Sequence, residues 1–279
     1  MSTNIFEEKN IQLAILKLGI PAMVGQLATL IYNLADTYFV SMTRNPAQIA
    51  AVTLSTPILL IIMSVSSVCG MAGSIIKIGI PGALITIMLS ISNIVLNNYI
   101  GIYGSDAVAA YGIAYKIDMF PIMLSVGLSQ GIAPLIGYCY GAKQTERLNK
   151  VMINGMIDTV LLGTVFTLAF LSLAGPLTSI FLHEKALTSQ SALFLRIMGL
   201  SAPMLGIINM VTAYYQALGK AVSSLFITVL RNALLFIPCV IILNALFGLK
   251  GAISAQPAVE TALAVICLVM YFVSRRKNV

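Results

Sequence analysis

Charge is scarce in this chain. Asp, Glu, Lys and Arg make up 9% of its 279 residues while 59% are hydrophobic, against about 25% and roughly 45–50% in an ordinary soluble domain. That shortage excludes a water-bathed surface for most of the chain, so lipid must be its main solvent. A hydrocarbon core of about 30 Å takes around 20 helical residues to cross, and only helices or closed barrels hide their backbone polar groups there. The apolar runs are too long for barrel strands, so the expected fold is an all-α polytopic membrane protein of about eight transmembrane helices.

Other absences narrow the chemistry. The start, MSTNIFEEKN, carries Glu7 and Glu8 and lacks the basic n-region and short apolar core of a cleaved signal peptide, so the first apolar run is expected to stay as a membrane helix. Cys69, Cys139, Cys239 and Cys267 lie in apolar runs and form no CxxC pair, which suggests neither a disulfide framework nor a zinc site. They read as small buried side chains. No GxxxxGK[ST] loop, HExxH pair or GxSxG elbow is present, so ATP hydrolysis and the commoner hydrolytic chemistries lack support. The chain reads as no enzyme, with no cofactor and no metal site. The only histidine, His183, sits beside Glu184 in an expected loop and reads as solvated.

Gly, Pro and charge divide the remainder into apolar spans at 11–41, 47–73, 75–100, 107–138, 151–176, 188–216, 222–246 and 251–273. With a cytoplasmic N-terminus, the inner side receives Lys9, Lys17, Lys77, Lys143, Arg147, Lys150, Lys220, Arg275, Arg276 and Lys277, while outer loops receive only Arg44, Lys185 and Lys250. The positive-inside rule favours that orientation, and an even number of spans returns the C-terminus to the cytoplasm. The net charge of +7 is thereby explained without a nucleic-acid partner. The expected location is the cell membrane, in a prokaryote the inner one, with lipid as the surrounding partner.

Self-similarity at a fixed offset marks duplicated units in transporters. LKLGIPAMVGQLATLIYNLADTYFV from Leu16 resembles IKIGIPGALITIMLSISNIVLNNYI from Ile76: Gly19, Ile20 and Pro21 match Gly79, Ile80 and Pro81, and further on Asp36 pairs with Asn97, Tyr38 with Tyr99 and Gly70 with Gly131. The second copy runs on through APLIGYCYGAKQTERLNK, whereas the first stops at Ser74. The segment that should follow Ser74 is inferred to be missing.

Several stretches in order, GIPA, NLADTYFV, the second GIP, SQGIAPLIGYCYGAK, YYQALGKAVSSLFITVLRN and GAISAQPAVE, resemble the multidrug and toxic compound extrusion (MATE) family, in its DinF-like branch. A full member is similar to two six-helix bundles facing each other across a cavity. By that resemblance residues 1–74 correspond to two helices of the N-terminal bundle and residues 75–279 to a complete six-helix C-terminal bundle, with four helices absent.

The residue that stands out first is Asp36, because a carboxylate deep in an apolar span is costly unless neutralised, paired or hydrated. At helical spacing Thr29, Tyr32, Asn33 and Asp36 share one face, with Gln26 near its edge, a stripe suited to a cavity wall. The alternative places Asp36 near the outer helix end, among water and headgroups. The resemblance implies that Asp36 is the cation-coupling acid, binding H+ or Na+ in exchange for organic cations or drugs. Its usual polar partners would come from the helices this chain lacks.

The matching repeat position, Asn97, cannot titrate. Ser90, Asn93 and Asn97 share a face and either line a cavity or hydrogen-bond between helices. Lys116 and Asp118 are expected at the start of the fourth span, Arg196 in the sixth, Arg231 in the seventh and Glu260 in the eighth, all read as structural pairs or as snorkelling to an interface. Pro21, Pro81, Pro134, Pro203, Pro238 and Pro257 fall in or near spans, where kinks are tolerated. Three functional readings follow: a secondary antiporter, a transport-incompetent remnant or assembly partner, and a lipid-linked precursor flippase, which would call for a more basic cavity. A homodimer that faces two complete bundles would restore a full cavity.

Overall fold

The structure, a computed structural model, describes residues 5–42, 76–182 and 184–277, together with positions 48, 51 and 55. A single 3-10 turn at Ile5–Glu7 leads into α1 (Ile11–Ser41), whose first turn is capped by Asn10: its side chain accepts from the Leu13 N–H at 3.3 Å. Next come α2 (Ile76–Gly101), α3 (Ser105–Gly141), α4 (Thr145–Ser179), α5 (Lys185–Gly199), α6 (Ala202–Ala217) and α7 (Ala221–Val229). A π-helical segment, Leu230–Phe236, then runs into α8 (Ile237–Lys277). Among the described residues there is no strand.

Expected spans at 11–41, 75–100, 107–138 and 151–176 fall on α1 to α4. The span at 47–73, with Cys69 and Arg44, lies outside the described residues apart from positions 48, 51 and 55, and so does His183. Two expectations need correction. Span 188–216 is two helices, α5 and α6, bent by 46° at a break around Leu200 and Ser201, with Pro203 just inside the second. Span 222–246 is not a uniform α-helix, since it passes through the π segment. Its C-terminal end and span 251–273 are the two arms of α8, which turns back on itself at Gly248 (φ 61°, ψ −144°), a backbone setting open to glycine. The reversal brings the Cys239 thiol to 4.0 Å from the Ala255 carbonyl.

Stretches 11–32, 105–141, 145–179 and 221–276 are long and apolar enough to cross a membrane, and so are α5 and α6 when taken together as a bent pair. The chain is a multi-pass helical membrane protein. Its outward faces carry large apolar side chains such as Leu161, Val165, Leu168, Leu246 and Val265, each more than half exposed to what would be lipid.

Where a bilayer supplies no hydrophobic force between helices, close approach decides packing, and small residues permit it. Gly127 and Gly131 form a GxxxG pair on α3 facing α1. A Cβ on Gly131 would lie 2.6 Å from the Leu18 carbonyl oxygen and 2.8 Å from Gly19 Cα, and one on Gly127 would lie 2.8 Å from Met23 Cα. The crossing of α4 and α6 is built likewise, with Gly163 against Ala202 and Gly206 against Thr159. Around these seams run two apolar clusters. One joins Ile100, Ile113, Phe194 and Ile253, the other Ile15, Ile136, Met152, Val211 and Tyr271. Cys139 and Cys267 are buried in the second, while Cys239 is half-buried.

Candidate functional site

The polar stripe of α1 is described only in part. Thr29 and Tyr32 lie on an open face of the helix, Tyr32 with 75% of its surface exposed. The side chains of Asn33 and Asp36 lie outside the described residues. At the near end of the stripe Gln26 donates to Gln130 of α3 at 3.2 Å, tying it to the glycine crossing.

One turn into α1, Gln12 donates to both carboxylate oxygens of Asp158 on α4 at 2.7 Å each. Nearby, Arg147 donates to the Glu8 carbonyl at 2.7 Å, Tyr138 donates to Glu7 at 3.2 Å and Lys17 pairs with Glu8 at 3.2 Å. Glu7, Glu8 and Gln12 are therefore held against the α3–α4 end by polar contacts. Residues of this type near a terminus give no sequence pattern by which their partners could be foreseen.

On α2, Ser90 and Asn97 are buried and Asn93 is partly so. Asn93 and Asn97 donate back to their own helix, to the Leu89 and Asn93 carbonyls at 2.9 Å each. The Asn97 amide oxygen is buried without a hydrogen bond. From α2 to other elements, Ser92 donates to the Asn232 carbonyl at 2.7 Å and Asn93 hydrogen-bonds Tyr115 of α3.

The densest polar constellation lies deeper. Asp118 does not begin its span, as the sequence suggested: α3 starts at Ser105, well before it, so the carboxylate sits inside the bundle with no exposed surface. Gln256 of α8 donates to Asp118 Oδ2 at 3.0 Å and lies 3.4 Å from the Ser201 hydroxyl at the α5–α6 break. One helical turn beyond Gln256, Glu260 is also buried. Its Oε1 accepts from Arg231 of the π segment through Nε at 2.9 Å and through Nη2. Asp118 Oδ1 and Glu260 Oε2 are both shielded and without a hydrogen bond. Arg196, by contrast, is exposed in the last turn of α5.

This arrangement brings together Asp118, Arg231 and Glu260, residues the sequence marked singly, and adds Gln256 and Ser201, which it did not. The signal available was the i, i+4 spacing of Gln256 and Glu260 around Pro257, which puts both on one helix face. Among the described residues no group of three or more His, Cys, Asp or Glu side chains is placed to hold a metal ion.

Comparison with known proteins identifies the family and the fold. Residues 81–242 match the MatE family model. The multidrug export protein MepA of Staphylococcus aureus is 30% identical over 209 residues, covering 74% of this chain and 45% of MepA. An inward-facing multidrug resistance MATE family transporter superposes with a TM-score of 0.69 at 18% identity, over 73% of this chain and 48% of that one. An outward-facing structure of such a transporter gives 0.68 at 19% identity, over 73% and 46%. The chain thus spans less than half the length of the relatives it matches.

Proposed function

Since the chain belongs to the MATE family, matched over residues 81–242, we propose that it is a secondary active multidrug exporter exchanging organic cations for H+ or Na+ across the cell membrane. The family match is the observation that carries this reading. The name of its staphylococcal relative, a multidrug export protein, supports it. In this reading residues 75–279 are the C-terminal bundle and residues 1–74 two helices of the N-terminal one. Both termini are cytoplasmic, as the distribution of Lys and Arg favours. Asp36 is the coupling acid, and Thr29, Tyr32, Asn33, Asn93 and Asn97 line the path of the substrate.

A bundle that keeps its shape while the whole transporter rocks should fit both conformations equally. The near-identical TM-scores to the inward- and outward-facing structures, 0.69 and 0.68, are in keeping with that role. A second reading is favoured by coverage of less than half of each relative: the chain is a unit that does not transport alone, as a remnant or as a partner in an assembly, two copies included.

Efflux of a fluorescent organic cation from cells expressing the chain decides between them, beside Asp36→Asn and a mock-expressing control, with membrane insertion verified for both proteins. Dye export that disappears in Asp36→Asn is the expected result. No export above control from an inserted chain would leave the second reading standing.

A further inference from the structure

We propose that Asp118 is a proton-binding site inside the bundle formed by residues 76–277, loaded and unloaded beside the Arg231–Glu260 pair. The site is separate from Asp36 and rests on the exchange reading only for what the proton's movement would drive. Three observations carry it.

The first is the count of charges. Asp118 and Glu260 are buried in a lipid-embedded bundle, and the guanidinium of Arg231 is engaged by Glu260 through two of its nitrogens. Asp118 is left with a neutral donor, the Gln256 amide at 3.0 Å, and feels the negative charge of Glu260. With both acids ionised the cluster holds one negative charge too many for its surroundings, which a counter-charge must offset.

The second is that Asp118 Oδ1 and Glu260 Oε2 are shielded oxygens without a hydrogen bond. A proton taken from hydronium onto Oδ1 forms one O–H bond, returns a water and turns an orphaned acceptor into a donor. Release reverses the step, with no redox change. A bare metal cation fits less well, since hard cations want a shell of several oxygens. Here the polar groups turned towards Asp118 and Glu260 are the donors of Gln256 and Arg231.

The third is the backbone. Arg231 stands in the seven-residue π segment, a rare geometry that is frequent at functional sites, and Gln256 directly precedes Pro257 within α8. Both partners therefore sit on irregular helix, where local rearrangement is easier than in a regular one.

The other groups that face the site are accounted for. Tyr111 and Tyr115 lie on the same helix as Asp118, and Asn93 of α2 hydrogen-bonds Tyr115. The Ser201 hydroxyl comes from the α5–α6 break and Cys267 of α8 senses Glu260 and Arg231. Lys116 is half-exposed two residues before Asp118, and α1 meets α3 along the glycine seam further on.

The test is pH-difference infrared spectroscopy on the full chain purified into liposomes. A carboxylic-acid carbonyl band is expected in the wild type, lost in Asp118→Asn, kept in Asp36→Asn and indifferent to Na+. A band that survives in correctly helical Asp118→Asn, or that Na+ abolishes, would overturn the assignment. Should Asp118→Asn fail to fold, Asp118→Glu decides: the band must change frequency, and an unchanged one refutes the site. Loss of dye export in Asp36→Asn with the Asp118 band intact separates this site from the coupling role of Asp36.

Discussion

Helix α3 has two faces that are held in opposite ways. Towards α1 it offers Gly127 and Gly131, and the seam is closed by backbone against backbone, with a hypothetical Cβ already in collision. Towards α8 it offers Asp118, which accepts from Gln256, and one turn on from Gln256 along α8 Glu260 pairs with Arg231 of the π segment. The first seam depends on shape and not on charge. The second depends on charge balance and tolerates little change in it. The contrast assigns different tasks to the two faces of one helix: a tight, uncharged contact with the N-terminal helix, and a buried charged cluster within the bundle of residues 76–277.

The polar face should break hardest. Arg231→Leu leaves Glu260, of which 3% is exposed, as an unpaired buried carboxylate, and the loss is expected at about 3–5 kcal/mol, the range for removing one partner of a buried pair. Arg231→Leu with Glu260→Leu removes both charges and should recover most of that loss. Thermal unfolding of the purified variants in detergent reads both. If the double variant is as damaged as the single one, packing around Arg231 and not charge holds this face.

On the glycine face, Gly131→Ala forces α1 away, because the added methyl would overlap the Leu18 carbonyl at 2.6 Å. A destabilisation of about 1–3 kcal/mol is expected, as for other overpacked contacts. Charge-changing substitutions at Asp118 should leave this seam untouched. A cysteine crosslink between α1 and α3 should therefore form with unchanged yield in Asp118→Asn and fall in Gly131→Ala.

How much of this was legible in the sequence follows from the same contrast. Apolar run length and Gly or Pro punctuation give helix ends to within about three residues for α1 to α3, because lipid forces every backbone group into a helix, whereas α4 begins at Thr145, well before the expected 151, because its first turns carry the polar loop residues. The break at Leu200 and Ser201 was not legible: no proline falls in 188–202, the one charge there, Arg196, sits before the break and reads like the other isolated span charges, and Pro203 falls after the bend. Nor was the π segment, since nothing in LRNALLF beyond Arg231 and Asn232 departs from an apolar α-helix and no residue pattern distinguishes π from α register. The buried cluster was visible as separate charges at 118, 231 and 260. That they meet depends on the hairpin at Gly248, where residues of α8 fold back beside the π segment, and periodicity along one helix carries no information about a partner across a turn. The stripe on α1 was legible as a pattern, while the side chains of Asn33 and Asp36 lie outside the described residues.

The smallest effect sharpens the comparison most, because it separates glycine as a residue type from glycine as a contact. Gly137 lies on α3, six positions after Gly131, yet a Cβ there would meet only the Ala217 carbonyl oxygen at 3.7 Å, an ordinary contact. Glycine inside a helix costs about 0.5–1 kcal/mol relative to alanine through the freedom it loses on folding. Gly137→Ala should then stabilise the protein by up to that amount, where the same substitution at Gly131 destabilises it. Opposite signs from one substitution on one helix would locate the glycine requirement in the seam with α1. A loss at Gly137 would instead mean that α3 needs glycine for its own bending between Pro134 and the turn at Lys143, and the seam would lose its claim to be the reason for the motif.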